Sequence, residues 1–199
     1  MSPELRERLD RLYQEGLAHD AAEPDRLRRL RNLEPDAAAL LWVTVRALRP
    51  RLLVEIGTSN GYSTLWLADA VAAGGGRLVS VDIDADLQAR AAAHLAEAGL
   101  AGTVELVCGD AGDYLASLPD GAVDVLFLDA ERTEYLGWWP HPLRVLRPGG
   151  LLAMDNVLSH PDEVADVRAL LEADPTLATT VVDVGKGELL AVTAHHPST

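Results

Sequence analysis

From Arg51 onward, short runs rich in Val, Leu and Ile alternate with alanine-rich helical stretches, and this alternation restricts the chain to a largely parallel sheet covered by helices on both faces. The spacing predicts strands near 51–56, 77–82, 103–108, 123–129 and 150–155. Helices are expected near 61–73, 85–98, 111–118, 132–146 (interrupted at Pro140 and Pro142) and 161–173. The tail differs: Thr179 to Val184 and Glu188 to Thr193 read as two strands joined by the turn Gly185-Lys186-Gly187, an antiparallel hairpin that closes the sheet. Ahead of Arg51 the pattern is helical. Leu5, Leu9 and Leu12 recur at helical spacing, Pro24 and Pro35 punctuate, and Asp36 precedes an apolar helix carrying Leu40, Leu41, Val43 and Leu48. The expected fold is α/β and doubly wound. One domain spans 1–199, with an N-terminal helical cap at 1–50 and a cofactor-binding core at 51–199.

Composition limits the partners. A chain of 199 residues with 48% hydrophobic residues can bury one sizeable core, and its net charge of -14 repels polyanions, which favours a small-molecule partner over nucleic acid. Met1 to Arg8 are charged and lack the apolar core of a signal peptide. No apolar run approaches the roughly 20 residues a membrane span needs, so the expectation is a cytoplasmic protein with no membrane partner. The one cysteine, Cys108, excludes an internal disulfide and, at the end of an apolar strand, reads as a small buried hydrophobe.

The segment Glu55-Ile56-Gly57-Thr58-Ser59-Asn60-Gly61-Tyr62-Ser63 follows a strand and opens a helix, so its backbone N–H groups point into the crevice where ligands of open α/β sheets bind. Its spacing is neither G-x-G-x-x-G nor that of a phosphate loop, and no lysine is present in it to meet phosphates. An acidic residue before the first glycine suits a cationic amino group, as on the methionine end of S-adenosyl-L-methionine. Gly57 and Gly61 permit close backbone approach, and Ser63 offers a hydroxyl to a carboxylate. Asp82, at the end of the second strand, can accept two hydrogen bonds from a ribose diol. Its neighbour Asp84 reads as a helix N-cap. At the end of the third strand, Asp110 in Gly109-Asp110-Ala111 either accepts from an adenine amine or caps the next helix, and both roles are compatible.

Two further strand ends are acidic. Asp129 ends the fourth strand and Asp155-Asn156 the fifth, so neighbouring strands would bring three oxygen ligands to one crevice, where they suit Mg2+ or another hard divalent ion such as Mn2+ or Ca2+. The absence of a Cys/His cluster at zinc spacing points the same way. Asp and Asn at strand ends also turn chains and cap helices with no ion involved.

The order Glu55-Ile56-Gly57-Thr58-Ser59-Asn60-Gly61-Tyr62-Ser63, Val81-Asp82, Gly109-Asp110-Ala111, Phe127-Leu128-Asp129-Ala130, Pro148-Gly149-Gly150 and Asp155-Asn156 resembles the metal-dependent O-methyltransferases of the catechol and caffeoyl-coenzyme A type, over roughly residues 33 to 194. The resemblance implies a seven-stranded, Rossmann-like sheet with a reversed final strand, S-adenosylmethionine above one half, and a Mg2+-like ion at Asp129, Asp155 and Asn156. It implies cofactor contacts from Glu55, Gly57, Ser63, Asp82, Asp110 and Ala111, joined by Thr58, Ser59, Gly61, Ile83, Gly109 and Asp129. It also implies a homodimer and a hydroxylated aromatic acceptor. Methylation of a hydroxylated tRNA base and a weakly catalytic cofactor-binding module are the alternatives.

The chain departs from these relatives in one place. Where they typically carry a lysine three residues after the metal aspartate, this sequence has Arg132, which stays protonated and cannot act as a base. Three outcomes are open, the first being the expectation: Arg132 stabilises the ionised acceptor while water takes the proton, His160 (otherwise an exposed loop residue beside Pro161) serves as base, or catalysis is weak. Trp138 and Trp139 are candidates to wall the acceptor, with at least one of them expected to pack inside. Trp42 and Trp66 read as core, and Tyr62 as packing beneath the cofactor.

Overall fold

Successive side chains of the central strands point to opposite faces, and here both sets are apolar, so the sheet needs a covering layer on each side. Leu53, Val125, Phe127, Leu151 and Ala153 face one core, whereas Val54, Ile56, Leu126, Leu128, Leu152 and Met154 face the other. The computed structural model describes residues 1–194. Helices α1 (Pro3–Ala22) and α2 (Pro35–Leu48) come first. Strand β1 (Leu52–Ile56), α3 (Tyr62–Ala72), β2 (Arg77–Asp82), α4 (Ala85–Glu97), β3 (Val104–Cys108), α5 (Ala111–Ser117) and β4 (Val123–Leu128) follow in alternation. A 3-10 turn at Arg132–Trp138, the short α6 (His141–Arg144), β5 (Leu146–Met154), α7 (Pro161–Ala173), β6 (Leu177–Val182) and β7 (Glu188–Thr193) complete the order.

The seven strands lie in the order β3-β2-β1-β4-β5-β7-β6. Strand β1 pairs in parallel with both β2 and β4, so the chain reverses its direction of travel across the sheet there, and the crevice above the carboxyl ends of β1 and β4 is where such sheets bind ligands. Strand β7 runs antiparallel between β5 and β6, which gives the expected reversed hairpin. Helix α3 is buried nearly all round, from Tyr62 to Val71, because it is wedged between the sheet and the N-terminal helices. Helix α1 presents Leu5, Leu9, Leu12 and Gly16 to that layer and is capped by Ser2, whose hydroxyl accepts from Leu5 N at 3.2 Å. Among the described residues no helix is long and apolar enough to cross a membrane.

Three details differ from expectation. Strand β5 begins at Leu146 rather than at 150, because Pro148 and Gly149 sit in an irregular stretch of the strand, marked by a register shift opposite Val123 to Val125. The single helix expected over 132–146 is instead a 3-10 turn followed by α6, with Pro140 and Pro142 at the break. Cys108 is exposed: β3 is an edge strand, and its last residue leaves the thiol outside, 3.7 Å from the Ile83 carbonyl.

Candidate active site

The loop after β1 is built by two glycines that no other residue could replace without strain. Gly57 has φ +104, and a Cβ there would lie 2.0 Å from the Asp129 carbonyl oxygen. Gly61 has φ +86, and its Cβ would meet Ala91 at 2.9 Å. The close approach of Gly57 to Asp129 is reinforced by Gly57 N donating to Val81 O and Asp129 N donating to Ile56 O, both at 2.9 Å, so the ends of β1, β2 and β4 form one rigid lip.

Glu55 lies beneath that loop, fully buried. Its Oε1 accepts from Ser63 Oγ, and its Oε2 from Thr64 Oγ1 and Ser80 Oγ, each at 2.6 Å. Thr58 and Gln88 extend the network: Thr58 Oγ1 and Ser80 Oγ are 2.6 Å apart, and Gln88 Nε2 donates to Thr58 Oγ1 at 2.9 Å. Glu55 therefore does not line the cavity, whereas Gly57, Thr58, Ser59 and Ser63 do. Burial pushes the Glu55 carboxyl up to about 7, against the three hydroxyl donors that favour its ionised form.

A pH dependence follows. Between the ordinary value of 4.5 and about 7 the folded protein holds the Glu55 proton that the unfolded chain has lost, so stability falls as pH rises through that window and is level above it. At about 1.4 kcal/mol per pH unit this amounts to roughly 3 kcal/mol. Glu55→Gln is expected to flatten the loss by about that amount in denaturant titrations at pH 5 and pH 8. An unchanged slope would refute the assignment.

Asp82 receives Ser59 N at 2.8 Å on Oδ2 and Asp84 N at 2.9 Å on Oδ1, which fixes its carboxylate at the cavity wall. Asp84 caps α4, accepting from Asp86 N and Leu87 N, and Asp110 caps α5 through Asp113 N at 2.8 Å. Ile83, 78% exposed, Gly109, Asp110 and Ala111 line the same end of a cavity of about 620 Å³. Tyr62, tilted against Tyr13 with centroids 5.6 Å apart, and Trp138, tilted against Tyr135 at 5.1 Å, form apolar walls. Trp139 is only partly buried.

Asp129 and Asn156 reach the opposite end of the cavity, and Asp155 lies immediately behind, almost fully buried. Asn156 has a left-handed backbone (φ 70) and gives its amide nitrogen to Asp155 Oδ2 at 2.7 Å and to Asp129 Oδ1 at 3.3 Å, so it ties the three side chains together. Burial first, and then the Asp155 charge, push the Asp129 carboxyl well above the usual range; burial likewise raises Asp155. The remaining Asp155 oxygen, Oδ1, and both oxygens of fully buried Glu188 have no partner that donates a hydrogen. Burial, followed by the charges of Asp155 and Asp129, also pushes the Glu188 carboxyl well above its ordinary value. Among the described residues no three His, Cys, Asp or Glu side chains converge on one point. The oxygen set is two carboxylates and one amide. Mutually repelling buried carboxylates, an orphaned oxygen and an amide that can present either face fit a hard divalent ion.

Arg132 is buried and gives Nε and Nη2 to Glu163 Oε2 at 2.8 and 2.7 Å. Glu163 also meets Arg26, which in turn pairs with Glu131 at 3.1 Å. His160 stands on the cavity wall, with Nδ1 2.9 Å from Ser159 Oγ. Partial burial, and then the Arg132 charge, hold its imidazole below the ordinary value. Residues 29–33 form a further part of the wall. Asp20 accepts Leu30 N at 2.7 Å and Arg31 N at 2.9 Å, and Ser59 Oγ donates to Leu30 O at 3.0 Å.

Several of these groups carry no sequence signal of their own. Ser80, Thr64 and Glu188 sit inside ordinary strand and helix patterns. Lys186 belongs to what reads as a plain hairpin turn, yet it lines the cavity beside Asn156 and His160. The only available signal was its uniqueness: it is the single lysine of the chain.

A family model described as a methyltransferase domain matches residues 54–157. The chain is 33% identical over 141 residues to a catechol O-methyltransferase of Mycobacterium tuberculosis, covering 71% of this chain and 62% of that protein. It is 32% identical over 130 residues to a catechol O-methyltransferase of Niastella koreensis, covering 64% of this chain and 58% of that protein. The chain thus spans about three fifths of the length of these two relatives. An O-methyltransferase from Bacillus cereus in complex with SAH superimposes with a TM-score of 0.77 at 26% identity, over 93% of this chain and 90% of that one.

Proposed function

The chain belongs to the methyltransferase-domain family, and on that premise we propose that it is an S-adenosylmethionine-dependent O-methyltransferase whose acceptor is a catechol-like small molecule with two adjacent hydroxyls. The observation that supports this reading is the shared cavity: the glycine loop and Asp82 at one end, Asp129 and Asn156 backed by Asp155 at the other. The names of the catechol O-methyltransferase relatives and the SAH-bound neighbour accord with it.

In this reading Gly57, Ser59, Gly61 and Ser63 receive the methionine end of the cofactor, Asp82 the ribose, and Ile83, Gly109, Asp110 and Ala111 the adenine. Glu55 supports the loop from below rather than touching the ligand. Asp129, Asp155 and Asn156 would hold a divalent ion, which supplies a lowered pKa for the acceptor hydroxyl and a fixed orientation for the diol. The chain's own residues supply the rest. Trp138, beside Gly112 and Asp110, excludes water from the adenine end, and Tyr62 walls the cavity under the glycine loop. The N–H fork of Arg132 is committed to Glu163, so its contribution is charge at a distance. His160, whose imidazole is held below its ordinary value by burial and the Arg132 charge, presents Nε2 to the acceptor's proton because Nδ1 faces Ser159.

Purified protein given methyl-labelled S-adenosylmethionine and catechol is expected to form a monomethyl ether, to lose at least about a hundredfold in rate with EDTA, and to recover with Mg2+. Labelled product formed equally well in EDTA would overturn the role of the ion. No labelled product under any condition would overturn the proposed acceptor.

A further inference from the structure

Lys186 is the only lysine among the 17 basic Lys and Arg residues, and the fold delivers it to the acceptor end of the cavity. Its backbone is clamped under the segment that follows Asn156. Val157 N donates to Gly187 O at 3.1 Å, while Leu158 N and Ser159 N both donate to Lys186 O, at 3.0 and 3.1 Å. Gly187, at φ +94, makes this approach possible, since a Cβ there would stand 2.4 Å from Leu158 Cγ. The side chain remains 33% exposed, and Nζ rests 3.0 Å from Glu34 Oε1, a carboxylate that also accepts from Tyr13 Oη.

The other cations on this wall are differently engaged. Arg132 is tied to Glu163, Arg26 and Arg31 face Glu131, and Arg29 Nε donates to Glu23 O. Lys186 alone combines a rigid anchor at the Asn156 segment with a flexible four-carbon stem and a compact charge.

We propose that Lys186 is a positioning residue for the acceptor: its Nζ leaves Glu34 to donate to the ionised acceptor oxygen beside Asp129 and Asn156, the task Arg132 cannot perform from its pairing with Glu163. This rests on the O-methyltransferase reading above. No bond is made or broken by Lys186; it holds the anionic oxygen that attacks the methyl carbon.

Uniqueness makes the test direct. Reductive methylation with 13C-formaldehyde labels Lys186 and the N-terminal amine and preserves their charge, which gives one ε-dimethylammonium resonance. Adding catechol together with S-adenosylhomocysteine and Mg2+ is expected to shift that resonance, whereas S-adenosylhomocysteine alone leaves it in place. In kinetics, Lys186→Met is expected to lower kcat/KM for catechol about a hundredfold and to move the rising limb of its pH profile upward by about one pH unit. Affinity for S-adenosylhomocysteine and the melting temperature should stay unchanged, and Lys186→Arg should restore activity to within about tenfold. A resonance indifferent to catechol, or a Lys186→Met loss accompanied by an equal loss of S-adenosylhomocysteine affinity and melting temperature, would overturn the proposal by making Lys186 a structural strut. Wild-type transfer matched by Lys186→Met would overturn this inference alone. Wild-type protein that transfers no methyl group to catechol would overturn the parent reading and this inference with it.

Discussion

Asp129→Asn is expected to yield a protein that is more stable than wild type at neutral pH and slower in methyl transfer by about a thousandfold or more. Both halves come from one arrangement. Asp129 and Asp155 are held side by side through the Asn156 amide; burial raises both carboxyls above their ordinary range, and the Asp155 charge raises Asp129 further. A carboxyl whose folded value lies above its unfolded value reduces stability at any pH above the unfolded value, so a neutral amide of the same shape removes a standing cost. The same amide removes one of the two negative charges that would draw a divalent ion to the end of β4. Denaturant unfolding at pH 7.5 and initial rates with and without Mg2+ check the two halves together. A variant that keeps the wild-type rate and response to Mg2+ would refute the role of the carboxylate.

Gly57→Ala is expected to cost about 3 kcal/mol or more and to weaken S-adenosylhomocysteine binding at least about a hundredfold. The added methyl has nowhere to go. Its nearest neighbour is backbone, the Asp129 carbonyl oxygen at 2.0 Å, and the φ of +104 is itself unfavourable for alanine. Relief requires β1 and β4 to part at the lip of the cavity, which displaces the loop and Asp129 in one motion. Gly102→Ala is the control: no heavy atom lies within 4 Å of its added Cβ, and its melting temperature should match wild type. Native S-adenosylhomocysteine affinity in Gly57→Ala would show that the lip is not part of the site.

Much of the framework was legible because it rests on local pattern. Runs such as Val123–Leu128 declare a doubly covered strand, and acids at their ends mark where the crevice opens. The ambiguous positions are those decided by distant neighbours. Glu55 reads as a ligand group until Ser63, Thr64 and Ser80, from α3 and β2, are seen to surround its carboxylate. Arg132 reads as a free cation beside Asp129 until α7 brings Glu163 to it from 31 positions away. Cys108 reads as buried because a sequence does not mark which strand lies at an edge. Pro148-Gly149 reads as a turn and hides the first residues of β5, since a strand irregularity and a loop share the same residue types. Lys186 reaches the site only because β7 pairs antiparallel with β5, a reversal that brings the Gly185–Gly187 turn back over the ends of the parallel strands.

The wall at residues 29–33 bears on which parts of the cavity can vary independently. It precedes residue 54, where the match to the methyltransferase-domain family begins, and it is fastened through main-chain atoms: Leu30 N and Arg31 N to Asp20, Leu30 O to Ser59. Leu30 and Leu33 are buried and Asn32 donates to Leu12 O, so the side chains that can be exchanged without loosening this main-chain fastening, or touching the sheet that carries the glycine loop and the acidic strand ends, are those of Arg29 and Arg31. This stretch of cavity wall and the glycine loop with its acidic strand ends are thus separable parts. A lineage, or a designer, can redraw the first by point substitutions in one short loop while the second is passed on intact.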